Sequence, residues 1–235
     1  VEQEWKFDFG ASGTDAEDGY TLVTPDTNYV TNKEYGFLGI DVDSYKLGNR
    51  LDGFGNQKGQ AIKLKAGGGT GLNDAIGSVG EDSFGNAGDV YYPTRFALKA
   101  DDEAYYRVRA TVTTLDTTKD AEISLYTERK HPIFTDTKVE AGQTKTVEFS
   151  VRPTPIYYEK SEPKGTIADG MVNVCVAGKN SAIASIEIQK VQEYPVFWVL
   201  GDSTVTDGNC SLPFFRLQNY TGVGTGLTKY LPRNY

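Results

Sequence analysis

Tyr105-Tyr106-Arg107-Val108-Arg109-Ala110-Thr111-Val112 alternates polar and apolar side chains and is rich in residues that favour strands. Successive side chains of an extended chain point to opposite faces, so this stretch buries one face and wets the other. The same period of two returns in Trp5-Lys6-Phe7-Asp8-Phe9, which stops at Gly10, and in Thr146-Val147-Glu148-Phe149-Ser150-Val151. Ala121-Glu122-Ile123-Ser124-Leu125-Tyr126 follows the first stretch after a polar turn, and the two are expected to pair as a hairpin. Val172-Asn173-Val174-Cys175-Val176-Ala177 and Ala184-Ser185-Ile186-Glu187-Ile188-Gln189 flank Gly178-Lys179-Asn180-Ser181, which reads as a turn. Helical periodicity is nearly absent from this region. Short alternating strands between polar turns predict a mainly β chain with two facing antiparallel sheets, a β-sandwich.

Composition points the same way. A chain of 235 residues can bury a sizeable core, and fifteen Tyr with 26 Gly lean towards strands and many turns. The net charge of −8 is uneven, because residues 194–235 hold only Asp202 and Asp207 against Arg216, Lys229 and Arg233. The acidity therefore belongs to residues 1–193. An acidic module lacks the basic footprint that nucleic acids and anionic membranes require, so neither is expected as a partner. No stretch approaches the ~20 apolar residues that span a bilayer. Val1-Glu2-Gln3-Glu4-Trp5 is not a secretory signal. Cys175 and Cys210 are too few for a disulfide framework and read as free thiols.

The pattern changes near Gln192-Glu193-Tyr194-Pro195. Pro195-Val196-Phe197-Trp198-Val199-Leu200 is unbroken apolar sequence, which suits a parallel strand buried on both faces. Gly201-Asp202-Ser203-Thr204 follows directly, and Gly222-Val223-Gly224-Thr225-Gly226-Leu227-Thr228-Lys229-Tyr230-Leu231 can form a short helix ended by Pro232. Strand, loop and helix make one βα unit. Two regions are expected, a sandwich over 1–193 and the start of an α/β domain over 194–235.

Ser203 is the candidate nucleophile. The strand before it brings it to the carboxyl end of a sheet, Gly201 permits the sharp turn, and the Ser203 N–H can donate to a tetrahedral oxyanion. The alternative is a strand-ending turn in which Asp202 or Ser203 caps local backbone. His131 is the one histidine of the chain, lies in the sandwich region, and reads as a loop residue with sugar contact as the alternative. Tyr91-Tyr92, Tyr105-Tyr106 and Tyr157-Tyr158 are candidate sugar-binding pairs, because sugar C–H faces stack on aromatic rings. The first reading of each pair is one core ring and one ring covering a sheet, with sugar contact as the alternative. Asp15-Glu17-Asp18, Asp41-Asp43 and Asp101-Asp102-Glu103 could hold a structural calcium or be solvated acidic turns; no metal ligand is assigned. Gly67-Gly68-Gly69-Thr70-Gly71 fails as a phosphate cradle, since no Gly-Lys-Ser/Thr follows it.

The block from Pro195 to Asp207, with its Gly201-Asp202-Ser203-Thr204, resembles the opening of the SGNH (GDSL-type) hydrolases, and within them the rhamnogalacturonan acetylesterase branch. Leu217-Gln218-Asn219-Tyr220-Thr221-Gly222-Val223-Gly224 resembles the loop and first helix that follow in those enzymes. Upstream, Lys6-Phe7-Asp8-Phe9-Gly10 with Gly19-Tyr20, and the run from Ser185-Ile186-Glu187-Ile188 onwards, resemble the galactose-binding-like jelly-roll sandwiches that precede such esterases in some bacterial proteins. The resemblance implies Ser203 as nucleophile and first oxyanion donor. It supplies no counterpart for the family's Gly and Asn oxyanion donors or its late Asp-x-x-His. A serine without a general base is a poor nucleophile at neutral pH. The expected protein is thus an accessory sandwich joined to the first segment of a secreted bacterial carbohydrate acetylesterase acting on pectic polysaccharide, with this chain alone inactive. The alternative is a non-catalytic carbohydrate-binding module or structural spacer. No cofactor is expected beyond a possible calcium.

Overall fold

The structure is a computed structural model that describes residues 3–32, 34–38, 62–68, 74–82, 93–128, 131–153, 156–158, 165–167, 170–192, 200–202, 205, 224, 227 and 229–230. Two sheets face each other, as the period-two pattern predicts. One has seven strands. Its central path runs β10 (Thr144–Val151), β7 (Tyr105–Thr114), β14 (Ser181–Val191), β1 (Glu4–Phe9) and β2 (Thr21–Val23). β5 (Asp74–Asp82) also joins β14, and β4 (Ile62–Gly68) pairs with β5. The opposing five-stranded sheet runs β3 (Tyr35–Phe37), β6 (Thr94–Lys99), β13 (Met171–Ala177), β8 (Ala121–Thr127) and β9 (His131–Val139). A short pair, β11 (Ile156–Tyr158) with β12 (Gly165–Ile167), stands apart, and α1 (Tyr29–Asn32) is one helical turn. All pairings are antiparallel except β1 with β2 among these strands.

The expected hairpin between residues 105–112 and 121–126 does not form. β7 pairs with β10 and β14, whereas β8 pairs with β9 and β13 in the other sheet. Both strands bury one face in the same interlayer core, so their alternation is identical whichever sheet they join. Period two specifies the buried face and leaves the partner open. The turn at Gly178-Lys179-Asn180-Ser181 is present, but it carries the chain from the five-stranded sheet to the seven-stranded one.

Inward side chains of both sheets fill the space between them. Phe96 of β6 is fully buried and meets Phe7 at 4.9 Å, Phe9 at 5.1 Å and Phe37 at 6.0 Å between ring centroids, all edge-on. Aromatic pairs prefer such edge contacts because a ring's positive edge meets its neighbour's negative face. Val108, Val112, Ile186 and Ile188 of the seven-stranded sheet and Ile123, Leu125, Val174 and Val176 of the five-stranded sheet extend this core. The strand pattern of Pro195–Leu200 falls largely on residues 193–199, outside the described residues; Leu200 itself is exposed.

Phe96→Ala removes the ring on which the aromatic cluster converges. It is expected to lower stability by about 3–5 kcal/mol in urea-denaturation measurements, the range for a buried Phe truncated in a packed core.

Candidate functional site

A groove of about 690 Å³ opens on the outer face of the five-stranded sheet, where β8, β9 and the end of β13 meet the turns at 116–120 and 178–180. Strand alternation builds its floor. Ala121, Ile123 and Leu125 point into the core, so Glu122, Ser124 and Tyr126 line up outward along β8. Register sets Ala177 beside Ser124, Cys175 beside Tyr126, and Lys138 beside Glu122. Lys119, Asp120, Asp136, Gly178 and Lys179 complete the walls.

The walls are braced by hydrogen bonds. Asn180 has a left-handed backbone, with φ of 60°, and its side chain ties the two turns together. Its Nδ2 donates to the carbonyls of Asp116 at 3.0 Å and Lys119 at 2.9 Å, and its Oδ1 accepts from the Asp116 N–H at 2.7 Å. Asn tolerates this conformation and supplies both donor and acceptor, which few residues do. Gly178 is needed beside it. Its φ is 119°, and a Cβ there would lie 1.9 Å from the Glu122 carbonyl oxygen. Asp136 sits at an irregularity of β9 with φ of 48°; its N–H donates to Ser124 Oγ at 2.9 Å.

Charges in the groove are largely paired. Lys138 meets Asp120 at 2.7 Å, and Lys119 meets Asp116 at 2.8 Å. The bond from Lys119, with those from the Thr118 hydroxyl and N–H, holds the Asp116 carboxyl well below the usual carboxylate range. Lys138, helped by the Ala141 N–H, lowers Asp120 in the same way. Burial pushes the Tyr126 phenol up, opposed by its hydrogen bond with Ser124, so at neutral pH it is an uncharged hydroxyl on a half-buried ring.

Tyr105 and Tyr106 lie on the other sheet. Tyr106 is 1% exposed in the interlayer core, where its hydroxyl accepts the Asp101 N–H at 2.8 Å. That removes it from the sugar-contacting set, because its side of β7 is the core side. Tyr105 faces outward on the seven-stranded sheet, with the Arg152 guanidinium 5.5 Å from its ring. Tyr157 and Tyr158 lie in β11, and Tyr91 and Tyr92 fall outside the described residues. His131 opens β9 opposite Thr127, half-buried within a strand where a loop position was expected. None of Tyr105, Tyr106 and His131 lines the groove. Tyr126 ends the alternating stretch 121–126, and its i, i+2, i+4 relation to Glu122 and Ser124 is the signal that places all three on one face.

The acidic clusters divide. Asp101 bonds the Glu103 N–H at 3.1 Å and Lys190 at 3.3 Å, and Asp102 accepts the Gly170 N–H at 3.1 Å, so these carboxylates brace turns. Asp15 and Asp18 are exposed, and Asp41-Asp43 lies outside the described residues. Among the described residues no three His, Cys, Asp or Glu side chains converge on one point. Two carboxylates outside those clusters are unusual. Asp8 and Asp74 are both buried, and Oδ1 of each has no hydrogen-bond partner. Asp8 Oδ2 accepts the Glu17 N–H at 3.0 Å, while Asp74 Oδ2 comes within 3.2 Å of the place a Cβ on Gly10 would occupy. Burial, then the Asp8 charge, pushes the Asp74 carboxyl up. The loop above them is pinned by Tyr20, whose hydroxyl donates to Glu187 Oε1 at 2.8 Å and is pushed up to about 12 by burial and that bond. Unpartnered buried oxygens are what a hard cation uses, and calcium completes its six to eight ligands from carbonyls and water. Asp8 and Asp74 offer the oxygens such an ion uses, whereas Asp101 and Asp102 already accept hydrogen bonds within turns.

Ser203 and Thr204 lie outside the described residues; their neighbours Gly201, Asp202 and Val205 are described. The Val205 N–H donates to the Asp202 carbonyl at 3.0 Å, and the Gly224 N–H to the Val205 carbonyl at 3.1 Å. A Cβ on Gly201 would lie 2.3 Å from Val205 Cγ2, so the turn requires glycine there. Gly224 and Leu227 are helical, within the expected helix. Cys175 is a free, buried thiol, pushed up to about 12 by burial, and Cys210 is outside the described residues.

No protein-family profile matches the chain, and no curated protein is similar to it in sequence. Among solved structures it is similar to protein YXIM of Bacillus subtilis, with 20% identity and a TM-score of 0.42 over 87% of this chain and 46% of that one. The chain thus spans about half the length of the Bacillus protein. It is also similar to the CBM22-1 xylan-binding domain of Paenibacillus barcinonensis Xyn10C, at 8% identity and TM-score 0.35 over 58% of this chain and 85% of that one. A third is the exo-β-1,3-galactanase of Phanerochaete chrysosporium, at 7% identity and TM-score 0.29 over 55% of this chain and 27% of that one. Likenesses this distant assign no function.

Proposed function

We propose that this chain is a carbohydrate-binding β-sandwich that holds a polysaccharide in the groove over β8 and β9. The observation that carries the reading is the half-buried Tyr126 ring on the floor of an open groove walled by carboxylates, ammonium groups and Ser124. A sugar ring presents an apolar C–H face and a rim of hydroxyls. The first suits an aromatic floor, and the second suits charged acceptors and donors at the walls. A rigid groove also limits the ordering cost of binding. In this proposal the protein is extracellular, as the resemblance implies, and a pectic ligand would be one of pectin's neutral side chains.

A second reading concerns residues 194–235, as the first segment of an SGNH-type acetylesterase with Ser203 as nucleophile. The glycine-dependent turn at 201–205, packed on Gly224, favours it. In that reading the hydroxyl oxygen of Ser203 attacks an acetyl carbonyl, the sugar oxygen leaves with a proton, and water later releases acetate. The base and remaining oxyanion donors come from beyond these residues. The calcium implied by the resemblance belongs, in the same proposal, at Asp8 and Asp74, where it would neutralise two buried like charges and anchor the loop over β1.

Three outcomes are expected. In isothermal titration against a panel of plant polysaccharide fragments, Tyr126→Ala weakens binding roughly tenfold or more while circular dichroism is unchanged; affinity indifferent to this substitution removes the groove from the proposal. The 235-residue polypeptide gives no steady hydrolysis of p-nitrophenyl acetate, and turnover abolished by Ser203→Ala would show that the missing partners are present after all. Calcium chloride raises the Tm over an EDTA-treated sample, and Asp74→Asn cancels the rise; equal Tm values in calcium and EDTA withdraw the cation.

A further inference from the structure

We infer that the Tyr126 groove selects an uncharged, hydroxyl-rich glycan and excludes chains rich in uronic acid. The inference rests on the reading that this groove binds polysaccharide, and it names the class of polysaccharide.

The charged side chains that line the groove are Lys119, Asp120, Glu122, Asp136, Lys138 and Lys179. Lys138 is held by Asp120 at 2.7 Å and Lys119 by Asp116 at 2.8 Å. Binding a ligand carboxylate through either lysine means competing with an acid already in place. Among the described residues Lys179 alone of the three has no carboxylate against it. Glu122 lies on β8 with Ser124 and Tyr126, and Asp136 lies across from Ser124 on β9, its Oδ1 3.5 Å from Ser124 Oγ. An ionised carboxylate only accepts hydrogen bonds, and its two oxygens suit a pair of neighbouring sugar hydroxyls. A uronate in the same position would set a third carboxylate beside these two, where like charges repel. The field of the whole chain acts in the same direction. Its net charge is −8, and the surplus of acid lies in the sandwich region. A polyanion therefore approaches against a repulsive potential and finds Lys179 as the one lining ammonium not already against an acid among the described residues.

The test is isothermal titration of the full 235-residue chain with xylohexaose, mannohexaose, galactotetraose and hexagalacturonate, at low and physiological salt. At least one neutral oligosaccharide is expected to bind, with an affinity insensitive to salt and lost in Tyr126→Ala. Hexagalacturonate is expected to bind at least tenfold more weakly. The double variant Glu122→Gln with Asp136→Asn keeps the side-chain shapes and removes both charges; it is expected to weaken the neutral ligand about tenfold and to narrow its advantage over hexagalacturonate. Hexagalacturonate binding as tightly as any neutral ligand, and dependent on Tyr126, would overturn this inference and leave the groove a polysaccharide site. Binding by none of the four would overturn both.

Discussion

Phe96 stands at the centre of the gap between the sheets and touches Phe7, Phe9 and Phe37, which come from both layers. Removing these rings from water drives the two sheets together, at about 1.5–3 kcal/mol for each large apolar side chain fully buried. The groove is positioned from this contact outward. With Ile123 and Leu125 drawn into the core, Glu122, Ser124 and Tyr126 have no other face to occupy. The groove is the outer consequence of an inner packing requirement.

Closing a sandwich requires the chain to pass from one sheet to the other, and those passages are where the special backbone lies. Gly178 and Asn180 make the passage from β13 to β14 within a few residues, at positive φ. The Glu122 carbonyl presses against Gly178, and Asn180 clamps the neighbouring turn at Asp116. One crossing therefore shapes both the topology and a wall of the groove. The Asp8 and Asp74 pair marks another junction, since β14 pairs with β5 at Ile183 and with β1 from Ser185 onward. Two strands converge there on one edge of β14, and their carboxylates are enclosed together.

The alternation of 105–112, 121–126 and 146–151 was enough to predict the strands and their buried faces. Partner choice was not legible. β7 and β8 are neighbours in sequence and lie in opposite sheets, because burial against the same core imposes the same pattern on both. Tyr105-Tyr106 follows the reading of one core ring and one ring covering a sheet, and the register of β7 decides that Tyr106 is the core ring. The residues that do form the groove come from separated stretches, with Lys119 and Lys179 sixty positions apart. No local motif joins them.

The amino-acid sequence by itself determined the class of fold, because period-two burial is a property of an extended chain and needs no partner to be seen. It also determined the glycine-bound turn at 201–205 and the acidity of the sandwich region, both written in consecutive residues. Only the tertiary structure decided which strands share a sheet, which tyrosine reaches the surface beside carboxylates, and which two aspartates are buried together. Those are relations between distant segments, and they come into being when the two sheets close on their common core.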